Sequence, residues 1–159
     1  MESLDLNPDT LLKQNLAEAT EYAKNKEYDK AILSLKQLLD KDQEHEIAMG
    51  MLAAIYLQIG MHERAENFYR QLLQINPGNP LARFQLGMSK FNQGAIEQAL
   101  LTWEPMLDLE NEFMAHYYSG LALLHLDEKD KAMRMFEHAR RHVPDSHPLY
   151  TQLMTQFEK

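Results

Sequence analysis

Cysteine is absent from the 159 residues. That excludes disulfides and thiolate metal sites, and it is compatible with a reducing cytoplasm. Lysine and arginine are outnumbered, 16 against 24 acidic residues, for a net charge of −8. Phosphate-backbone binding needs clustered basic residues, so nucleic acid is not an expected partner. The short run "RRH" (140–142) is surrounded by acidic units. Glycine is too sparse in "QGAIEQ" and "NPGNP" for a phosphate loop. No run approaches the ~20 apolar residues of a membrane span, so membrane insertion is not expected. The start, "MESLDLNPDTLL", has no basic stretch followed by an apolar one and does not read as a signal peptide. A cytoplasmic location is the expectation unless a leader has been removed. What remains is ordinary for a soluble globular protein: 45% apolar and 25% charged residues. The length allows one or two domains and a core large enough to fold.

The stretch "LARFQLGMSKF" (81–91) has too many apolar residues for one helical face. Phe84, Met88 and Phe91 form one stripe, whereas Leu86 and Gly87 lie on another side. A lone amphipathic helix needs a single stripe.

Self-comparison explains the surplus. Four breaks, "KNKEYDKA", "QIGMHERA", "NQGAIEQA" and "HLDEKDKA", each end in alanine: Ala31, Ala65, Ala99 and Ala132. Their spacings are 34, 34 and 33 residues. "INPGNP" (75–80) and "HVPDSHP" (142–148) place proline where one unit ends and the next begins. "KDQEH" (41–45) and "LENEF" (109–113) fill the same slot without it. Runs rich in Leu, Ala, Gln, Glu and Met lie between, all good helix formers. Each unit reads as helix, tight turn, helix, and a fixed period of this kind signals a stacked-repeat architecture.

The pattern resembles the tetratricopeptide repeat family. Along its first helix that family carries a large residue, Leu, a small residue and Tyr. Its second helix carries Ala, an aromatic, Ala and Pro. The unit from Glu46 offers Met49, Leu52, Ala53, Tyr56, Gly60, Ala65, Tyr69, Leu72 and Pro77. The unit from Pro80 offers Arg83, Leu86, Gly87, Lys90, Gly94, Ala99, Trp103 and Met106, with Asn111 in place of the usual Pro. The unit from Phe113 offers His116, Gly120, Leu123, Ala132, Phe136, Ala139 and Pro144. A weaker unit from Leu12 matches at Ala19, Tyr22, Ala31, Leu35 and Leu38, but Glu18 replaces Leu.

The resemblance implies an all-α, right-handed superhelical solenoid of four helix pairs plus a terminal helix. The units then run 12–45, 46–79, 80–112 and 113–146. Residues 1–11 extend the first helix, with Asn7 capping Pro8, and 147–159 form a capping helix. Tyr150, Leu153 and Phe157 should cover the last unit, with Thr151, Gln152, Thr155 and Glu158 facing water. Small residues Ala53, Gly87 and Gly120 should let paired helices approach, and Tyr69, Trp103 and Phe136 should fill gaps between neighbouring pairs. Asn79 and Pro80 suit a helix start.

Nothing in the residues points to an enzyme. His138 and His142 have the i, i+4 spacing of metal ligands, but Ala139 follows the first histidine and two arginines intervene. They read as basic residues near a helix C-terminus. His62 and Glu66 share that spacing and read as a solvated face. His45 and His147 fall in turns. The acidic Asp108, Glu110 and Glu112 read as a solvated turn where the third unit is one residue short. Trp103 reads as core. No metal or cofactor is expected. The ten methionines are core filler, or an adaptable surface.

In the resembled family, first helices line a concave groove. The matching positions here are Lys13 and Lys24 in the first unit, Ile47 and Ala54 in the second, Leu81, Phe84, Met88 and Phe91 in the third, and Met114, Tyr117, Leu121 and His125 in the fourth. The groove is thus basic at one end and apolar beyond. Apolar surface of this kind marks interaction sites. The expected partner is an apolar or amphipathic protein segment, and the alternative is burial of the groove or an end in a homo-oligomer. The family's carboxylate clamp for acidic tails is missing, since Leu16, Thr20, Met51, Leu81 and Gln85 stand at its positions. The length, acidity and apolar groove also resemble secretion chaperones for translocator proteins. Pilus-assembly repeat lipoproteins are a poorer match, because their lipidated cysteine is absent.

Overall fold

Four tight turns set the architecture, and each is built around one residue in the left-handed region. These are Lys26 (φ 60°), Gly60 (φ 80°), Gly94 (φ 80°) and Asp127 (φ 57°). The residue after each one donates its N–H back across the turn: Glu27 to Tyr22 O (2.8 Å), Met61 to Tyr56 O (2.7 Å), Ala95 to Lys90 O (3.0 Å) and Glu128 to Leu123 O (2.9 Å). The bond satisfies a carbonyl that the ending helix leaves without a partner. Two of the four positions use glycine, which adopts this conformation freely; lysine and aspartate bear a steric cost there.

The computed structural model describes residues 7–109 and 111–156. Among these the only regular structure is helical: α1 Pro8–Lys24, α2 Tyr28–Lys41, α3 Glu46–Gln58, α4 His62–Ile75, α5 Pro80–Asn92, α6 Ile96–Trp103, a 3-10 turn at Glu104–Met106, α7 Phe113–His125, α8 Lys129–His142 and α9 Tyr150–Thr155. None is long and apolar enough to cross a membrane. The Asn7 side chain accepts from Asp9 N at 3.2 Å, and that of Asn79 accepts from Ala82 N at 3.0 Å. Both helices therefore start at a proline whose missing N–H leaves nothing unsatisfied. His45 does more than sit in a turn: its Nδ1 accepts from Ala48 N at 3.1 Å and caps α3.

The chain divides into two compact units, Met1–Ala82 and Arg83–Lys159. In the first, α1 packs on α2, α2 on α3, and α3 on α4. Its core is Ala19, Ala31, Leu35, Leu38, Met49, Leu52, Ala53, Tyr56, Ala65, Tyr69 and Leu72, all buried. Burial pushes the Tyr69 phenol up to about 12. Glu66 is a correction to the solvated face expected of it. It is buried, and its carboxylate is held by Arg70 one turn on, whereas His62 is exposed. A buried carboxylate is tolerable when paired in this way.

In the second unit α6 packs on α7, α7 on α8, and α8 on α9. Here the aromatics on second helices lie over the glycines of their own pair, so they close each pair from within. A Cβ at position 87 would overlap the Trp103 indole, and one at position 120 would come within 2.6 Å of Phe136 Cε1. The indole is wholly buried and donates to Phe84 O at 3.0 Å. The third pair is foreshortened: α6 stops at Trp103, and Pro105 turns the chain into the 3-10 segment. Proline cannot donate within a continuing helix and clashes with the preceding turn.

The terminal helix starts later than expected. It begins at Tyr150, because His147 Nδ1 accepts from Leu149 N (3.1 Å) and His147 O from Tyr150 N (2.9 Å), holding a turn there. Leu153 is fully buried among Tyr117, Leu123, Phe136 and Val143, and Tyr150 is half-buried against the same cluster. Thr151, Gln152 and Thr155 are exposed. Phe157 and Glu158 lie outside the described residues, as does Glu110 of the acidic turn.

Candidate functional site

The first helices of the second unit carry its densest aromatic cluster. Phe84 and Phe91 on α5 both meet Trp103, with centroids 6.2 and 6.1 Å away. Tyr118 on α7 approaches both phenylalanines at 5.8 and 6.2 Å, ring edge to face. Offset and edge-on contacts of this kind are worth ~0.5–1.5 kcal/mol beyond burial. Met88 packs on the same cluster between the two phenylalanines. At the C-terminal ends of α5 and α7 the exposed His125 ring meets Phe91 edge to face at 5.6 Å.

Phe84, Met88 and Phe91 are thus half-buried, with one side spent on Trp103 and Tyr118. The repeat pattern assigns Tyr117 to the groove and not its neighbour Tyr118, so the sequence carries no signal for this contact. Tyr117 is a correction. It is 5% exposed and belongs to the core around Leu153. Gln152 on α9 donates to its hydroxyl at 3.0 Å, and burial raises its pKa. Its ring is covered by the chain's own terminal helix and is not offered to a ligand. Leu121 is half-buried against the same cluster, Met114 is half-buried, and Leu124 is 44% exposed.

The candidates on residues 1–82 form a separate set. Ile47 is 61% and Leu81 is 55% exposed. Ala54, Lys13 and Lys24 are also exposed. Lys13 and Lys24 lie on α1, Ile47 and Ala54 on α3.

The histidine pair of α8 is part of a larger arrangement. His138 stacks on His142 at 4.3 Å and on the buried His116 of α7 at 3.6 Å. His116 Nδ1 lies 2.9 Å from Glu112 O, and His142 Nδ1 lies 2.9 Å from His138 O. The rings are stacked flat, which does not converge their nitrogens on one point. Among the described residues no group of three or more His, Asp or Glu is placed to hold a metal ion. Nearby, both Arg140 and Arg141 bond Glu137, and the bond from Arg140 foremost holds that carboxyl below its usual range.

Three tetratricopeptide repeat models match the chain, over residues 16–80, 60–124 and 114–146. The chain belongs to the tetratricopeptide repeat family. Among curated relatives of this repeat protein, anaphase-promoting complex subunit 3 of Schizosaccharomyces pombe is 25% identical over 143 residues, covering 87% of this chain and 22% of that one. Tetratricopeptide repeat protein 21A of Mus musculus is 30% identical over 110 residues, covering 65% of this chain and 8% of that one. The repeat chain therefore spans about a fifth or less of the curated relatives it matches. A crystal structure of MamA protein superposes with a TM-score of 0.75 at 20% identity, over 83% of this chain and 73% of that one. A MamA structure from Desulfovibrio magneticus RS-1 gives 0.68 at 17% identity, over 96% and 78%. At these identities the likeness establishes the tetratricopeptide fold.

Proposed function

We propose that the chain is a non-catalytic protein-interaction module whose repeats run 12–45, 46–79, 80–112 and 113–146. In the second unit it holds an apolar or amphipathic segment of another protein against the first-helix faces of α5 and α7. The observation that carries this reading is the half-open apolar stripe of Phe84, Met88 and Phe91, flanked by the exposed Leu124 and His125. No carboxylate, lysine or arginine stands at these positions. Exposed aromatic and methionine surface is what interfaces enrich. The first unit carries a set of its own: Ile47, Ala54 and Leu81 are exposed apolar residues, and Lys13 and Lys24 offer charge to an acidic segment there. Family membership supports a binding role without naming the partner, because one fold hosts many functions.

The test is capture of binding proteins from the native cell by the full chain, followed by mapping of the bound segment. Met88→Glu and Leu124→Glu each place a charge on the stripe. The expected result is loss of the captured segment with helicity retained by circular dichroism. Undiminished capture by both folded variants would remove α5 and α7 as the site. Light scattering over a concentration series addresses self-association: a concentration-dependent dimer lost in the same variants would assign the face to a second copy.

A further inference from the structure

The second unit contains a trough that none of the described residues fills. Leu100, Leu101, Glu104 and Leu107 form one wall, on α6 and the 3-10 turn; Lys131, Arg134 and Met135 of α8 form the other. Ser119 and Leu123 of α7 make the floor, and the volume is about 510 Å³, within the range of binding cavities. Two sequence features create it. Ser119 is the seventh residue of α7, the place held by the fully buried Leu52 in α3 and by Leu86 in α5. A hydroxyl thus replaces an isobutyl group in the floor. On the facing wall, α6 ends at Trp103 and gives way to the 3-10 turn that holds Pro105.

The trough is not a packing accident covered by other residues. Leu101 at its lip is 67% exposed. The Ser119 Oγ is buried without a hydrogen-bond partner. A solitary buried hydroxyl destabilises a fold that a leucine would stabilise. The walls also carry opposite charges. Among the described residues neither Glu104 nor Arg134 has an ion pair, and Arg134 donates to Asp130 O at 3.4 Å. Glu128 and Lys131 at the rim are paired with each other.

We propose that this trough receives an amphipathic helix of another protein, which seats one large apolar side chain over Ser119 and lays a basic flank towards Glu104 and an acidic flank towards Arg134. The charge pattern selects this occupant over an acyl chain with a carboxylate head, which would meet Arg134 but bring a like charge to Glu104. The site is separate from the α5–α7 stripe and does not rest on that reading.

The probe is a synthetic helical peptide with Leu at i, i+3 and i+7, Lys along one flank and Glu along the other, titrated into the full chain by NMR. Binding should shift amides of residues 100–107 and 131–135. Ser119→Leu, which restores the residue type of the earlier repeats, should keep or raise thermal stability and weaken binding about tenfold or more. Leu101→Glu should weaken it similarly, and a Glu104→Lys/Arg134→Glu chain should prefer a peptide with its flanks exchanged. Met88→Glu should leave binding unchanged. No binding at about millimolar peptide, a range typical of very weak contacts, would overturn the proposal. So would binding that Ser119→Leu does not affect, loss through Met88→Glu instead, or preferential occupation of the same amides by decanoate.

Discussion

The α3–α4 pair and the α7–α8 pair begin from the same pattern and end with different interiors. In the first, Leu52 and Ala53 lie beneath α4, and both are wholly buried. In the second, Ser119 and Gly120 hold the corresponding places on α7, and Phe136 of α8 occupies the space that a Cβ at position 120 would need. A smaller first helix thus admits a closer aromatic on one side and leaves a trough on the other. The lesson is that the repeat fixes where side chains point, while the volume at each point remains adjustable. Departures from the pattern mark where the scaffold has surface to offer.

Removing the aromatic that closes a pair should have the largest effect. Trp103→Ala should cost about 3–5 kcal/mol in denaturant unfolding, the range for large core truncations, and it also loses the bond to Phe84 O. Retention of wild-type stability would mean that the indole does not hold α5 and α6 together. Adding a methyl comes next. Gly87→Ala and Gly120→Ala should each destabilise by about 1–3 kcal/mol through overpacking, although alanine is intrinsically the better helix former. The mirror change, Ala53→Gly, should cost only about 0.5–1 kcal/mol, because backbone entropy is its main effect. Equal losses at positions 53 and 120 would erase the distinction between the pairs. The smallest effect concerns the turns. Lys26→Gly and Asp127→Gly should raise stability by up to about 1 kcal/mol by relieving left-handed strain, bringing those turns to the condition of Gly60 and Gly94. A melting temperature unchanged or lowered in both would show that the lysine and aspartate side chains compensate for it.

Much of this arrangement was legible in the residues. The alanines at 31, 65, 99 and 132 are all fully buried, and their spacing set the turns in phase. Asn7–Pro8 and Asn79–Pro80 announced helix starts, because capping chemistry is local. Trp103 was recognisable as core from its place in the repeat. The features that the sequence does not show depend on contacts between residues distant along the chain. Tyr117 looked like groove surface because α9, which covers it, is an addition beyond the repeats. Tyr118 gained its role from α5, and Glu66 its burial from packing around a helix that looked solvent-facing. The third histidine ring, His116, was hidden because it occupies an ordinary large-residue place, and its stacking on His138 arises only when α7 and α8 pair.

Among the candidate binding residues, the sequence named positions but could not divide them by exposure. Leu81 and Met88 stood out equally in the stretch 81–91, yet Leu81 is 55% exposed whereas Met88 leans on the Trp103 cluster. Exposure depends on the size of neighbouring side chains across helices, which one strand of periodicity does not carry.

Binding of another protein by the first-helix faces of the second unit can be read at the backbone amides of those helices. Hydrogen–deuterium exchange on the full chain, alone and with the captured segment, tests it most directly. Slowed exchange confined to α5 and α7, around residues 84–91 and 118–125, is expected, with no such slowing in Met88→Glu. Slowed exchange confined to other helices, with α5 and α7 unchanged, would contradict it.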